Sequence, residues 1–190
     1  MIEVLALWGN INDQILRYYW IMSALQGQPW VPFVPSNTDI VREAFHYIRL
    51  GRDDVFYDLG CGDGRVAVLA ANEFKVKRAI CVEKNPKLAE KAMLRVKEER
   101  LDGKVFVVNA DMFQVPITDA TVVYMYLLTS VNEMLRSKLE RELQQGAKVL
   151  TLDFKIPSWT PYRILGTGKG WQKTIYIYIK GVSNVVTRQI

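Results

Sequence analysis

Several residues at the ends of three apolar runs have the types and the spacing to hold a nucleoside. The run VFYDL, residues 55–59, carries Asp58 near its tip and opens into Gly60, Gly62 and Gly64, with a helix-like pattern from Arg65 onward. Glycines at a strand-to-helix turn let a ligand approach the main chain closely, and the next helix offers the positive end of its dipole. A dinucleotide fingerprint, G-x-G-x-x-G, would need its third glycine at the position of Arg65, and no Gly-Lys-Ser/Thr follows, so neither that motif nor a phosphate-binding P-loop is present. Glu83 closes the run ICVE, where a carboxylate can accept hydrogen bonds from both ribose hydroxyls and would repel a 2′-phosphate. Asp111, in VVNADMF, can accept from an adenine amino group while Met112 packs on the ring. Ordered acids after consecutive strands fit an adenosine without phosphates that carries an ammonium and carboxylate tail.

The elements that must position these residues alternate between strand and helix. Ser36 with Asp39 resembles a capping box, Ile40, Val41, Ala44, Phe45 and Ile48 form an apolar stripe, and Gly51 ends that helix. Further helices are expected over residues 65–74, from Pro86 behind an Asn85 cap, and from a Ser130/Glu133 capping signature to Gly146. Between them VFYDL, RAICVE, KVFVVN, ATVVYMYL and AKVLTLDF read as strands. Continuous β-branched runs separated by helices imply a parallel sheet covered on both faces. The closing stretch YRILGTGKGWQKTIYIYIK has no room for a helix and reads as a hairpin around Gly-Lys-Gly, so one strand must run antiparallel. The fold class is therefore α/β: a Rossmann-like, mostly parallel sheet with a C-terminal antiparallel hairpin. An N-terminal helical extension and extended arm over residues 1–35 precede the nucleoside-binding domain, residues 36–190.

The chain has 190 residues, 49% hydrophobic and 24% charged, which excludes a disordered protein. A net charge of +5 suits solubility, or an anionic partner such as a nucleic-acid-associated protein. Cys61, Cys81 and His46 cannot make a zinc site without carboxylates, so no metal is expected. Both cysteines sit in apolar or glycine-rich surroundings, which suggests no disulfide and a reducing, cytoplasmic setting. The start of the chain lacks the features of a signal peptide. Residues 18–37 are uncharged, but Pro29, Pro32 and Pro35 interrupt any spanning helix. Trp8, Ile11, Ile15, Tyr19 and Met22 recur at helical spacing, giving a helix docked on the core, with membrane contact as the alternative.

DLGCGDGR together with VE and NADMF resembles the binding motifs of class I, seven-strand S-adenosylmethionine-dependent methyltransferases, over roughly residues 36–180. The resemblance implies S-adenosylmethionine as cofactor, its tail held by Asp58, Gly60 and Gly62, its ribose by Glu83 and its adenine by Asp111 and Met112, with Phe33 of the extended arm alongside. PFVPS, YLLTSVNEML and DFKIPSW resemble a narrower group, the small non-SET protein-lysine methyltransferases of archaeal type and their mitochondrial relatives, although Thr129 stands where that group has a proline. The substrate implied is a protein with an accessible lysine.

A lysine ammonium has an ordinary pKa of about 10.4, so an aromatic, desolvated channel that favours the neutral amine is required. Tyr124 and Tyr126 share one face of their strand, with Met125 on the other. Tyr126 is expected nearer the mouth, with Phe33 and Trp159 completing the wall and Asp153 steering the lysine or taking its proton. The run VVYMYLLTS lacks the Asn/Asp-Pro-Pro-aromatic motif of enzymes that methylate base amino groups. An RNA or small-molecule methyltransferase with the same cofactor site is the alternative, and a binding module without turnover is the other.

Overall fold

The computed structural model describes residues 33–166 and 173–183, so the N-terminal helix, its membrane contact and the Gly-Lys-Gly turn lie outside the described residues. The chain divides into two units, Met1–Val34 and Pro35–Ile190, and the second carries all that follows. Its order is α1 (Thr38–Tyr47), β1 (Val55–Leu59), α2 (Arg65–Asn72), β2 (Arg78–Val82), α3 (Pro86–Glu98), β3 (Val105–Val108), β4 (Val122–Met125), α4 (Thr129–Glu142), β5 (Lys148–Leu152), β6 (Arg163–Gly166) and β7 (Thr174–Ile179).

The strands form one seven-stranded sheet in the order β3-β2-β1-β4-β5-β7-β6. β1 to β5 pair in parallel, whereas β7 runs antiparallel to both β5 and β6. This is the Rossmann-like sheet with a closing hairpin that the alternation implied. Strand order reverses between β1 and β4, and ligands in open α/β sheets lie beyond the strand ends at such a reversal. All five residues of β1 are buried, which is why its sequence is apolar without alternation. Asp58 is in register with Cys81 of β2 and Tyr124 of β4, so these three share one face of the sheet.

Two capping assignments are corrected. Asn37, not Ser36, caps α1, its side chain accepting from the Asp39 N–H, while the chain reverses at Arg49 (φ 54°) before it reaches Gly51. At α4 the cap position is Leu128 and no side chain caps the helix, so the Ser130/Glu133 signature is unused. Asn85 does cap α3 with Pro86 behind it, and the helix buries Ala89, Ala92 and Val96.

Cys61 and Cys81 are joined by a disulfide, their Cα atoms 5.4 Å apart, which overturns the expectation of free thiols. Buried surroundings do not oppose pairing when the backbone brings two cysteines together. Here the N–H groups of Gly60 and Cys61 both donate to Val82 O, so the turn folds back over β2 and lays Cys61 on Cys81. The argument for a reducing setting loses its premise. The bond closes a loop across a sequence separation of 20. In the chain-entropy account such a loop contributes about 3 kcal/mol. Thermal unfolding with a reductant should therefore begin about 10 °C lower than without it. An unchanged midpoint in the fully reduced protein would show that the bond contributes nothing.

Candidate active site

The donor half of the site lies beyond β1, β2 and β3. Asp58 is 2% exposed, and its Oδ2 has no hydrogen-bond partner among the described residues. A buried carboxylate oxygen without a donor costs about 1–3 kcal/mol, which a cationic ligand group would relieve. Burial first, and then the charges of Glu83 and Asp63, push the Asp58 carboxyl well above the usual carboxylate range. Gly60 (φ +78°) and Gly64 (φ +75°) hold left-handed backbone, and a Cβ at either would stand 2.9 Å from a carbon of Leu127 or Ala92 respectively. The turn therefore packs against Leu127 and α3 too closely for any residue but glycine to fit without a shift.

Glu83 is half-buried and already engaged. Its Oε2 accepts from the Gly62 N–H at 2.9 Å and its Oε1 from the Asn85 N–H at 2.8 Å. The carboxylate thus pins the glycine turn to the start of α3 and still has lone pairs for ribose hydroxyls. Asp111 accepts from the Phe113 N–H at 3.0 Å and pairs with Lys84 at 3.1 Å. Burial opposes its ionisation, but those two donors outweigh it and hold the carboxyl below its usual range. Met112 is half-buried next to it.

One residue of this half escaped the sequence reading. Asp63 is buried and forms ion pairs with Arg65 at 2.7 Å and with Arg95 of α3 at 2.8 Å. Arg95 also donates to the Asp63 carbonyl, so the glycine turn is fastened from both sides. Asp63-x-Arg65 was visible as a local pair; the partner 32 residues on was not.

The acceptor half is built on β4, β5 and β7. Tyr124 is core: it is 1% exposed, donates to Ser36 Oγ at 3.0 Å and meets the Phe45 ring edge-on. Tyr126 is less buried, and its hydroxyl donates to Asp153 Oδ2 at 3.0 Å. Burial, reinforced by the Asp153 charge, raises the Tyr126 pKa despite the Lys173 hydrogen bond, so the phenol stays a neutral donor. Phe154 stacks on Tyr126 with centroids 6.0 Å apart and lines the site in the role expected of Trp159. Trp159 instead donates to Glu140 of α4 and packs on Tyr178. Tyr178 pairs with Val149, which puts it on the sheet face of Met125 and Thr151, away from Tyr124. Phe33 is 43% exposed and belongs to the other unit, so the site described here is built without it.

Asp153 sits at φ 60°, an uncommon conformation that Asp tolerates better than most residues. It is held by its N–H donating to Thr174 O at 2.7 Å and by the Thr174 N–H donating to its Oδ1 at 3.1 Å. That leaves Oδ2 facing Tyr126 and Lys173. Lys173 Nζ lies 2.5 Å from Asp153 Oδ2 and donates to Tyr126 Oη at 2.8 Å. Beneath them Asn132, fully buried, donates to the carbonyls of Leu127 and Phe154 and so ties the ends of β4 and β5 together. Phe154, Asn132 and Lys173 were not singled out in the sequence, because nothing local marks residues brought together from α4, β5 and β7.

The model of the ANTKMT methyltransferase domain matches residues 58–163. The chain belongs to that family. A protein-lysine N-methyltransferase from Saccharolobus islandicus (strain REY15A) is 40% identical over 154 residues, 80% of this chain and 96% of that relative. The adenine nucleotide translocase lysine N-methyltransferase of Mus musculus is 34% identical over 73% of this chain and 59% of its own length. Among solved structures, an RNA methyltransferase from Salinibacter ruber in complex with S-adenosyl-L-homocysteine superposes with a TM-score of 0.74 at 32% identity, covering 82% of this chain and 97% of that one. The chain is thus an S-adenosylmethionine-dependent methyltransferase of the class I fold.

The residues present fit that cofactor: Asp58 Oδ2, without a partner among the described residues, suits its ammonium, and Glu83 keeps lone pairs for its ribose hydroxyls. A proton balance follows from Asp58. Its carboxyl titrates high without ligand, and a cationic tail beside it would pull that value down. Binding should therefore release protons, and affinity should rise with pH until Asp58 is ionised without ligand. Calorimetry in buffers of different ionisation enthalpy measures this; a binding heat independent of buffer would contradict it.

Proposed function

We propose that the half-buried patch of Tyr126, Phe154 and Asp153 receives a lysine side chain from a protein substrate. The enzyme is a protein-lysine N-methyltransferase that takes its methyl group from S-adenosylmethionine. The cofactor supplies an electrophilic methyl on a sulfonium, so the protein's work is positioning, desolvation and removal of a proton. The observation that carries the reading is an amine-binding pair: Tyr126 Oη and Asp153 Oδ2 hold a lysine Nζ at 2.8 and 2.5 Å. Asp153 would orient the incoming ammonium and accept its proton. Tyr126 and Phe154 supply aromatic surface that dehydrates the amine and favours its neutral form. The register supports this reading: Tyr124, two residues before Tyr126, lies beside Asp58 across the reversal of strand order.

The test is to incubate the protein with a cell extract and labelled S-adenosylmethionine. Label should enter protein bands that survive nuclease and vanish with protease, and peptide mass spectrometry should find the added methyl groups on lysine. Label confined to RNA would replace this reading with RNA methylation.

A further inference from the structure

The amine held by Tyr126 and Asp153 belongs to the chain itself. Lys173 stands immediately before β7, and its Nζ engages both groups that the lysine-methylation reading assigns to the substrate amine. It also lies 5.2 Å from the centroid of the Tyr126 ring, and its side chain is 21% exposed. A substrate lysine and Lys173 are the same chemical group, so they compete for one place. We propose that Lys173 is a methylation site of this protein: the enzyme transfers methyl from its donor to the Nζ of its own Lys173. The inference rests on the reading above and adds to it an acceptor within the chain.

The step balances with what that activity supplies. Asp153 takes a proton from the Lys173 ammonium. The freed lone pair on Nζ forms the new N–C bond as the C–S bond of the donor breaks, and the electron pair of that bond stays on sulfur. A sulfonium becomes a neutral thioether, Lys173 becomes a protonated methyl-lysine, and the proton passes from Asp153 to water. Burial disfavours the charge on Lys173, but its hydrogen bonds to Asp153 and Tyr126 more than compensate and hold its pKa above the usual lysine value. Deprotonation is therefore uphill, and modification should be slow beside turnover on a good substrate. Tyr126 and Asp153 each take an Nζ proton, and a trimethyl-lysine would keep neither of these hydrogen bonds.

Two measurements test this. The purified protein is incubated with S-adenosylmethionine, digested and analysed by mass spectrometry, with the extract reaction run in parallel. The peptide containing Lys173 should carry methyl, and label in the intact protein should fall at least about tenfold in Lys173→Arg, a residue too basic to yield a free amine. Extract proteins labelled while that peptide stays unmodified would overturn this inference alone; no labelled lysine anywhere would overturn the reading beneath it as well. The second measurement needs no donor. An amine-acylating reagent should modify Lys173 about tenfold or more slowly than Lys84, because the Lys173 side chain is 21% exposed against 74% and its amine is held as the ammonium by Asp153 and Tyr126. Asp153→Asn should raise the Lys173 rate. Equal rates for Lys173 and Lys84 would show that the amine is not held, and the proposal would fall.

Discussion

Glu83→Ala is expected to abolish measurable binding of S-adenosylmethionine while the protein stays folded. The carboxylate accepts from the Gly62 and Asn85 N–H groups, and those two bonds hold the glycine turn in the shape the ligand meets. Ribose hydroxyls would use its remaining lone pairs. Hydrogen bonds to a charged group contribute about 1.5–3 kcal/mol each. Losing the ribose contacts alone therefore costs about 3 kcal/mol or more, and a hundredfold in affinity corresponds to about 2.7 kcal/mol. The sheet should survive, because the turn remains tied by the Cys61–Cys81 bond and by Asp63 to Arg65 and Arg95. Titration calorimetry reads the affinity and circular dichroism the fold. Wild-type affinity in a folded variant would remove Glu83 from the cofactor site.

Asp153→Asn should have the second-largest effect, this time on turnover. The substitution keeps the size of the side chain and one acceptor oxygen, which can still take the Thr174 N–H, and Asn tolerates the φ of 60° at this position as well as Asp does. What it loses is the negative charge that attracts an ammonium and can take its proton. A positioned proton acceptor contributes about 10²–10⁴-fold, so kcat should fall by at least about a hundredfold, with a smaller change in KM for the protein substrate. Tyr126→Phe keeps the ring and the Asp153 charge and removes the hydroxyl that donates to Asp153 and accepts from the amine, so a loss nearer about tenfold is expected. Steady-state rates with a methylatable protein distinguish these cases. Unchanged kcat in Asp153→Asn would mean that the proton leaves directly to water.

Much of this was legible in the chain alone, for a physical reason. The parallel sheet, the glycine turn and the acids after β1, β2 and β3 depend on local pattern: buried strands must be apolar along their length, a sharp strand-to-helix turn needs glycine, and an acid at a strand end needs only its own sequence position. Asp58, Glu83 and Asp111 accordingly fall at the carboxyl ends of neighbouring strands, and the antiparallel hairpin at the end of the chain follows from two strand-like runs with no helix between them.

Tertiary structure decided the rest, because it depends on which distant segments meet. Burial and surrounding residue types gave no sign that Cys61 and Cys81 would pair; the turn lying back over β2 did that. Trp159 and Phe154 are both aromatics just after β5, yet they are assigned to different neighbourhoods by the face of the sheet each packs on. Nothing in the sequence singled out Lys173, and only the antiparallel pairing of β7 with β5 brings its amine onto Asp153 and Tyr126. Strand and turn propensities act over a few residues and can be read in order, whereas side chains that meet across 20 or 47 positions are joined by the fold and by nothing local to either.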